Sequence, residues 1–109
     1  MYTVIKRDGK TTDFNLQKIS DAIRMAFDAL EKEYNDNIID FLALKVTADF
    51  EPKIKDHQIA VEDIQDSVES VLIQAGYADV SKAYILYRAE HAKIREAESD
   101  LMNIYNELT

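Results

Sequence analysis

The sequence predicts an α+β fold, mostly α, and three observations carry the prediction. An Asp-Gly pair sits inside a β-branched amino-terminal stretch, four later segments repeat apolar residues at three- and four-residue steps, and one short apolar run separates the second of these from the third.

The amino-terminal stretch reads Val4-Ile5-Lys6-Arg7-Asp8-Gly9-Lys10-Thr11-Thr12-Asp13-Phe14. Asp-Gly favours a type I′ hairpin turn, whose two central residues both take positive φ. Tyr2 to Lys6 and Thr11 to Phe14 are therefore expected to pair as strands, with the register moved by one residue if the turn carries a bulge. From Leu16 the period changes, since Leu16, Ile19, Ile23, Ala26, Phe27 and Leu30 line one helical face behind Asn15, a good N-cap. After the polar break Glu33-Tyr34-Asn35-Asp36-Asn37, the residues Ile38, Ile39, Phe41, Leu42, Val46 and Phe50 give a second helix with a broad apolar face, which Pro52 ends.

Gln58-Ile59-Ala60-Val61 offers a short third strand. Glu62 and Asp63 then open a third helix in favourable relation to its dipole. Ile64, Val68, Val71, Leu72 and Ala75 form its apolar face, and Gly76 suits the C′ position. The last helix is expected to start at Asp79 as N-cap. Val80, Tyr84, Tyr87, His91, Ile94, Glu98, Leu101, Tyr105 and Leu108 space themselves along it as a heptad seam with two polar members. Extended to Leu108 it measures ~43 Å at 1.5 Å per residue, so its end is expected to project.

Composition narrows the function. With 109 residues the chain is one small domain, and 47% hydrophobic with 31% charged residues supports a core while arguing against disorder and membrane insertion. No apolar run approaches the ~20 residues of a bilayer span. The start lacks the pattern of a signal peptide, so a cytoplasmic location is the expectation. Absence of cysteine removes thiolate zinc sites, thiol nucleophiles and cysteine-radical chemistry from this chain. His57 and His91 are too few for a His-rich metal site, and both are read as structural. Intrinsic catalysis is not expected. The formal charge of −8 speaks against a nucleic-acid partner. That charge is uneven, however, because Lys6, Arg7, Lys10 and Lys18 outnumber Asp8 and Asp13 within the first 20 residues.

The hairpin tip Lys6-Arg7-Asp8-Gly9-Lys10, followed by a helix start with Asn15 and Lys18, groups cations with free helix N–H donors. This is an anion site in outline. Lys6 and Arg7 serve one ligand together only if the strand ends near Lys6 or the ligand wraps the edge. Gly9 and Gly76 exclude a P-loop by their separation, and no Gly-x-Gly-x-x-Gly occurs. The competing readings are a charged tip that only keeps the domain soluble, and a nucleotide-independent helical interaction or oligomerisation module built on the last helix.

Four separated blocks in order resemble a known family. They are Val4 to Gly9, Phe14 to Ile19, Ile64 to Glu69 (Ile-Gln-Asp-Ser-Val-Glu) and Asp79 to Arg88 (Asp-Val-Ser-Lys-Ala-Tyr-Ile-Leu-Tyr-Arg). Together they resemble the ATP-cone domain, the nucleotide-sensing regulatory module at the amino end of many ribonucleotide reductases. The resemblance covers about residues 3 to 95.

It implies a four-helix bundle capped by a small antiparallel β-sheet, the hairpin plus the short third strand. It also implies that ATP activates and dATP inhibits a catalytic domain outside this chain. Lys6 and Arg7 fall on the phosphate-contacting pair, Asn15 and Lys18 on the helix-start positions, and Val4, Ile19 and Ile23 on the apolar wall against the base. Gln65 stands where some members have His, and Thr12 where some have an acid; both can still hydrogen-bond. Lys82, Tyr87 and Arg88 of the fourth block are placed to reach the ligand from across the bundle. The alternative for Tyr84 and Tyr87 is a place in the helix seam, and for Arg88 a solvated partnership with an acidic neighbour.

Magnesium is expected with the triphosphate, which alone brings about four negative charges. The stretch from His91 to Thr109 looks like that leading out of the cone in anaerobic, glycyl-radical ribonucleoside-triphosphate reductases. By this reading 1–95 is the regulatory domain and 96–109 extends the last helix toward the catalytic domain, with cone-to-cone contacts as a further partnership.

Overall fold

A computed structural model of the protein describes residues 2–90. Strands β1 (Thr3–Ile5) and β2 (Thr11–Asp13) form the expected antiparallel hairpin, with Val4 opposite Thr12. Its turn carries the bulge that the sequence left open. Gly9 alone takes positive φ (+85°), the Gly9 N–H donates to the Lys6 carbonyl at 3.0 Å, and the Lys6 N–H donates to the Lys10 carbonyl at 2.7 Å. This is a turn centred on Arg7 and Asp8 with glycine in a bulge, not a type I′ turn on Asp8 and Gly9. The Asp8 carboxylate accepts from the Lys10 N–H at 2.9 Å, which holds the tip closed.

Helix α1 (Leu16–Ala29) begins at Asn15, whose side chain accepts from the Gln17 N–H, and buries Ile19, Ile23, Ala26 and Phe27. It ends in a Schellman motif, in which Lys32 N–H donates to the Phe27 carbonyl and Glu31 N–H to that of Asp28, both at 3.0 Å. Glu31 sits at the left-handed C′ position with φ +53°. Glycine adopts that conformation without the Cβ penalty. Glu31→Gly is therefore expected to stabilise the domain by about 0.5–1 kcal/mol in chemical denaturation; a loss of stability would contradict the strain assigned here.

Helix α2 (Asp36–Phe50), capped by Asn35, buries a stripe of Ile39, Leu42, Ala43, Val46 and Phe50. The face is narrower than expected, because Phe41 is 57% exposed and lies under the Lys45 ammonium, 5.2 Å from the ring centre. Pro52 ends the helix in a short 3-10 turn, Glu51–Lys53. A two-residue turn follows, with Asp56 and His57 both at positive φ and Lys55 exchanging backbone hydrogen bonds with Gln58. That is type I′ geometry.

The third strand, β3 (Gln58–Ala60), joins β1 with Val4 beside Ile59, giving the order β2-β1-β3. It runs parallel to β1, so the sheet is mixed and not wholly antiparallel. The reason is topological, since α1 and α2 supply the long crossover that parallel neighbours require.

Helix α3 (Val61–Gln74) starts directly after the strand and carries Glu62 and Asp63 in its first turn. Val61 thus belongs to the helix. Gly76 occupies C′ with φ +90°, and Tyr77 N–H donates to the Leu72 carbonyl at 2.8 Å. Helix α4 runs over 78–90 within the described residues, starting just before Asp79. Asp79 binds Lys32 at 2.9 Å and accepts from the Val80 N–H, so α4 is tied to the end of α1. The Lys32 ammonium and these hydrogen bonds hold the Asp79 carboxyl below its ordinary pKa.

Val80 and Tyr84 enter the core with the inner faces of the other three helices, Val4 and Ile59. Four helices thus pack around one core beneath the small sheet. The seam members from His91 onward and the extension over 96–109 lie outside the described residues.

Candidate functional site

Because β1 ends at Ile5, Lys6 and Arg7 leave the strand's alternation and belong to the turn. Both face a cavity of about 410 Å³ between the hairpin, the start of α1, α3 and α4. That volume lies in the range of small-molecule sites. Its floor is apolar, built by Val4, Phe14, Ile19 and Ala22 on one side and by Val61, Ile64 and Val68 of α3 on the other. Asn15 and Lys18 bring the first turn of α1 to the cavity, and that turn contains no acidic side chain to compete for an anion. Tyr84, Tyr87 and Arg88 close it from α4, while Thr12 and Asp13 reach it from β2.

The cations differ in their partners. Lys6 and Lys18 have no carboxylate within 4.0 Å among the described residues, whereas Arg7 lies 3.6 Å from Glu62 and Arg88 donates to Glu69 at 2.6 Å. The first pair is half-exposed and contributes little. The second is about three-quarters buried. Beside it, the Tyr84 hydroxyl has its pKa pushed up to about 12, chiefly by burial; Arg88 and Arg7 act to lower it, Glu69 and Tyr87 to raise it. Both arginines thus act on one buried hydroxyl.

Gln65 adds a neutral polar group, since its side-chain oxygen is buried at the cavity without a hydrogen-bond partner. Such an atom costs about 1–3 kcal/mol unless something pairs with it. No group of three or more His, Cys, Asp or Glu side chains suited to a metal occurs among the described residues. No described helix is long and apolar enough to cross a membrane.

The family model of the ATP cone domain matches residues 2–93, nearly the whole chain. The chain belongs to the ATP-cone family. Its relatives include the ribonucleoside-diphosphate reductase subunit alpha of Chlamydia pneumoniae, 39% identical over 103 residues, covering 84% of this chain and 9% of the relative. The vitamin B12-dependent ribonucleoside-diphosphate reductase of Thermoplasma acidophilum is 39% identical over 113 residues, covering 96% and 14%. The anaerobic ribonucleoside-triphosphate reductase of Haemophilus influenzae is 36% identical over 104 residues, covering 92% and 14%. The chain thus spans only 9–14% of the length of these reductases. It is the regulatory, nucleotide-binding module of such enzymes, and catalysis belongs to the remainder of their length.

In this ATP-cone, Val4, Lys6, Arg7, Asn15 and Lys18 line the cavity, as do Ile19, Gln65, Tyr87 and Arg88. Two residues named from the sequence do not. Ile23 is fully buried one turn further along α1, inside the core, and Lys82 is exposed on α4 away from the cavity lining. Ile64, Val68 and Tyr84 were read from the sequence as packing residues, and they serve as wall as well as core. Asp13, Phe14, Ala22 and Val61 were not singled out. Phe14 opens the second resemblance block and Asp13 adjoins it, but nothing in the periodicity separates Ala22 or Val61 from ordinary core positions.

Proposed function

We propose that this cavity binds ATP as activator and dATP as inhibitor of a host ribonucleotide reductase, with magnesium carried on the phosphates. One observation bears most of the weight: cations from the hairpin, α1 and α4 converge around an apolar-floored cavity at the start of a helix. Lys6, Arg7, Lys18 and Arg88 take the triphosphate, with Asn15 and the α1 N–H groups behind it. Val4, Ile19, Ile64 and Val68 pack against the purine. The unpartnered Gln65 oxygen accepts from its exocyclic amine. Magnesium finds its ligands in phosphate oxygens and water, as this ion commonly does.

Residues 1–95 form the sensing domain in this reading, and 96–109 lead toward the catalytic domain of a cytoplasmic host. The carboxyl-terminal stretch favours the anaerobic triphosphate reductase as that host. The two effectors differ only at the 2′-hydroxyl, so opposite effects require different affinities for two states of the enzyme. Cone-to-cone contacts are one form the dATP state takes.

Calorimetry of the chain with ATP, dATP and CTP in magnesium tests the binding step. The two adenine nucleotides are expected to bind much more tightly than CTP, and to raise the melting temperature by several degrees near saturation. Equal affinity for CTP would contradict purine recognition. Indifference to all three, with a melting temperature that follows protein concentration, would favour the helical interaction module.

A further inference from the structure

The two arginines of the cavity come from distant parts of the chain, and both are held by glutamates of α3. Glu62 and Glu69 are seven residues apart, about two turns, and so lie on the same side of the helix. The Arg7–Glu62 contact is long and half-exposed, whereas Arg88–Glu69 is short and mostly buried. Glu69 is tied to α4 a second time, because the Ser81 hydroxyl donates to its backbone carbonyl at 3.1 Å. One residue of α3 therefore holds α4 by both main chain and side chain. The contact occupies one N–H of the Arg88 guanidinium and sets a negative charge against it, so an anion entering the cavity competes with Glu69 for this cation.

We propose that Glu69 is an internal competitor for the anionic ligand of the cavity, holding Arg88 until phosphate groups displace it and thereby breaking the side-chain bond between α3 and α4. This rests on the reading that the cavity takes a nucleoside triphosphate. Lys6 and Lys18, without carboxylate partners, draw the anion to the mouth, and Arg88 transfers to it second. A triphosphate offers more charge and more acceptor oxygens than one carboxylate, so the exchange is favourable, yet part of the binding free energy goes into it. That part appears as a changed α3–α4 contact. The Ser81 bond to the Glu69 backbone persists, so the helices shift about a retained hinge contact.

The test is calorimetry of the full 109-residue chain with magnesium-ATP and, separately, with inorganic tripolyphosphate. Glu69→Gln, which removes the charge at nearly constant shape, is expected to tighten both ligands about tenfold, which is about 1.4 kcal/mol. Glu69→Asp, whose carboxylate falls one methylene short of Arg88, shifts affinity the same way by less, and serves if the glutamine variant does not fold. The gain must vanish when Arg88 is already Met. Glu62→Gln, an equal charge change on the same helix face, must give a far smaller gain. Unchanged or weaker binding by the Glu69 variants, a gain that survives in Arg88→Met, or an equal gain from Glu62→Gln would overturn the proposal. Wild-type chain that binds tripolyphosphate while the Glu69 variants behave identically fails this proposal alone. Wild-type chain that binds neither ligand fails the triphosphate reading, and this proposal with it.

Discussion

Replacing Lys6 or Arg7 by alanine is expected to weaken magnesium-ATP binding by about 10- to 150-fold, corresponding to ~1.5–3 kcal/mol for a hydrogen bond to a charged group. The apo fold should be almost untouched. Both side chains are exposed at the turn, and the contact Arg7 makes with Glu62 is 3.6 Å long and open to solvent on both sides. Lys10→Ala supplies the comparison. Lys10 is the next cation of the same tip, but it lies outside the cavity lining, and its structural role is the backbone N–H bound to Asp8, which alanine keeps. Calorimetry of the three variants should therefore give two large losses and one small one. Three equal, small changes would make the hairpin a solvated tip.

Ile23→Ala is expected to be the most damaging to stability, at about 2–5 kcal/mol, while leaving nucleotide affinity close to that of the parent chain. The resemblance to the family places this residue on the wall against the base. The structure places it one turn deeper, with no exposed surface, among Ala26, Phe27 and the inner faces of the other helices. Ile19, 6% exposed and on the cavity lining, is the isoleucine of α1 that borders the cavity. Ile19→Ala should accordingly show the larger loss of affinity and Ile23→Ala the larger loss of stability, measured by calorimetry and urea unfolding on the same preparations. The opposite pattern would return Ile23 to the binding wall.

The elements that local chemistry determines were legible in the sequence. Asn15 before a three- and four-residue period, Pro52 after Phe50 and Gly76 after Ala75 each act through their own backbone or immediate neighbours, and each stands where the pattern put it. What depends on distant parts of the chain was not legible. The β3 strand could be seen but not its direction, because that follows from how α1 and α2 cross over the sheet. The type I′ turn formed at Asp56-His57, where no glycine advertises it, while Asp8-Gly9 took a bulged turn. Phe41 counted as apolar in the pattern of α2 yet lies outward under Lys45.

The site divides in the same way. Lys6, Arg7, Asn15 and Lys18 are close in sequence, so an anion site could be outlined from spacing alone. Arg88 and Glu69 are 19 residues apart on two helices, and nothing in either segment announces that they meet. The buried Gln65 oxygen was equally silent, since a side chain's partners depend on the packed neighbours around it.

The most direct test of the central claim is an amide NMR titration of the 15N-labelled chain with magnesium-ATP. Saturable shifts are expected at Val4 to Arg7, Thr12 to Ile19, Val61 to Val68 and Tyr84 to Arg88, with the outer face of α2 around Phe41 and Leu44 unaffected. Absence of shifts at saturating nucleotide, or shifts centred on α2 instead of the cavity, would contradict it.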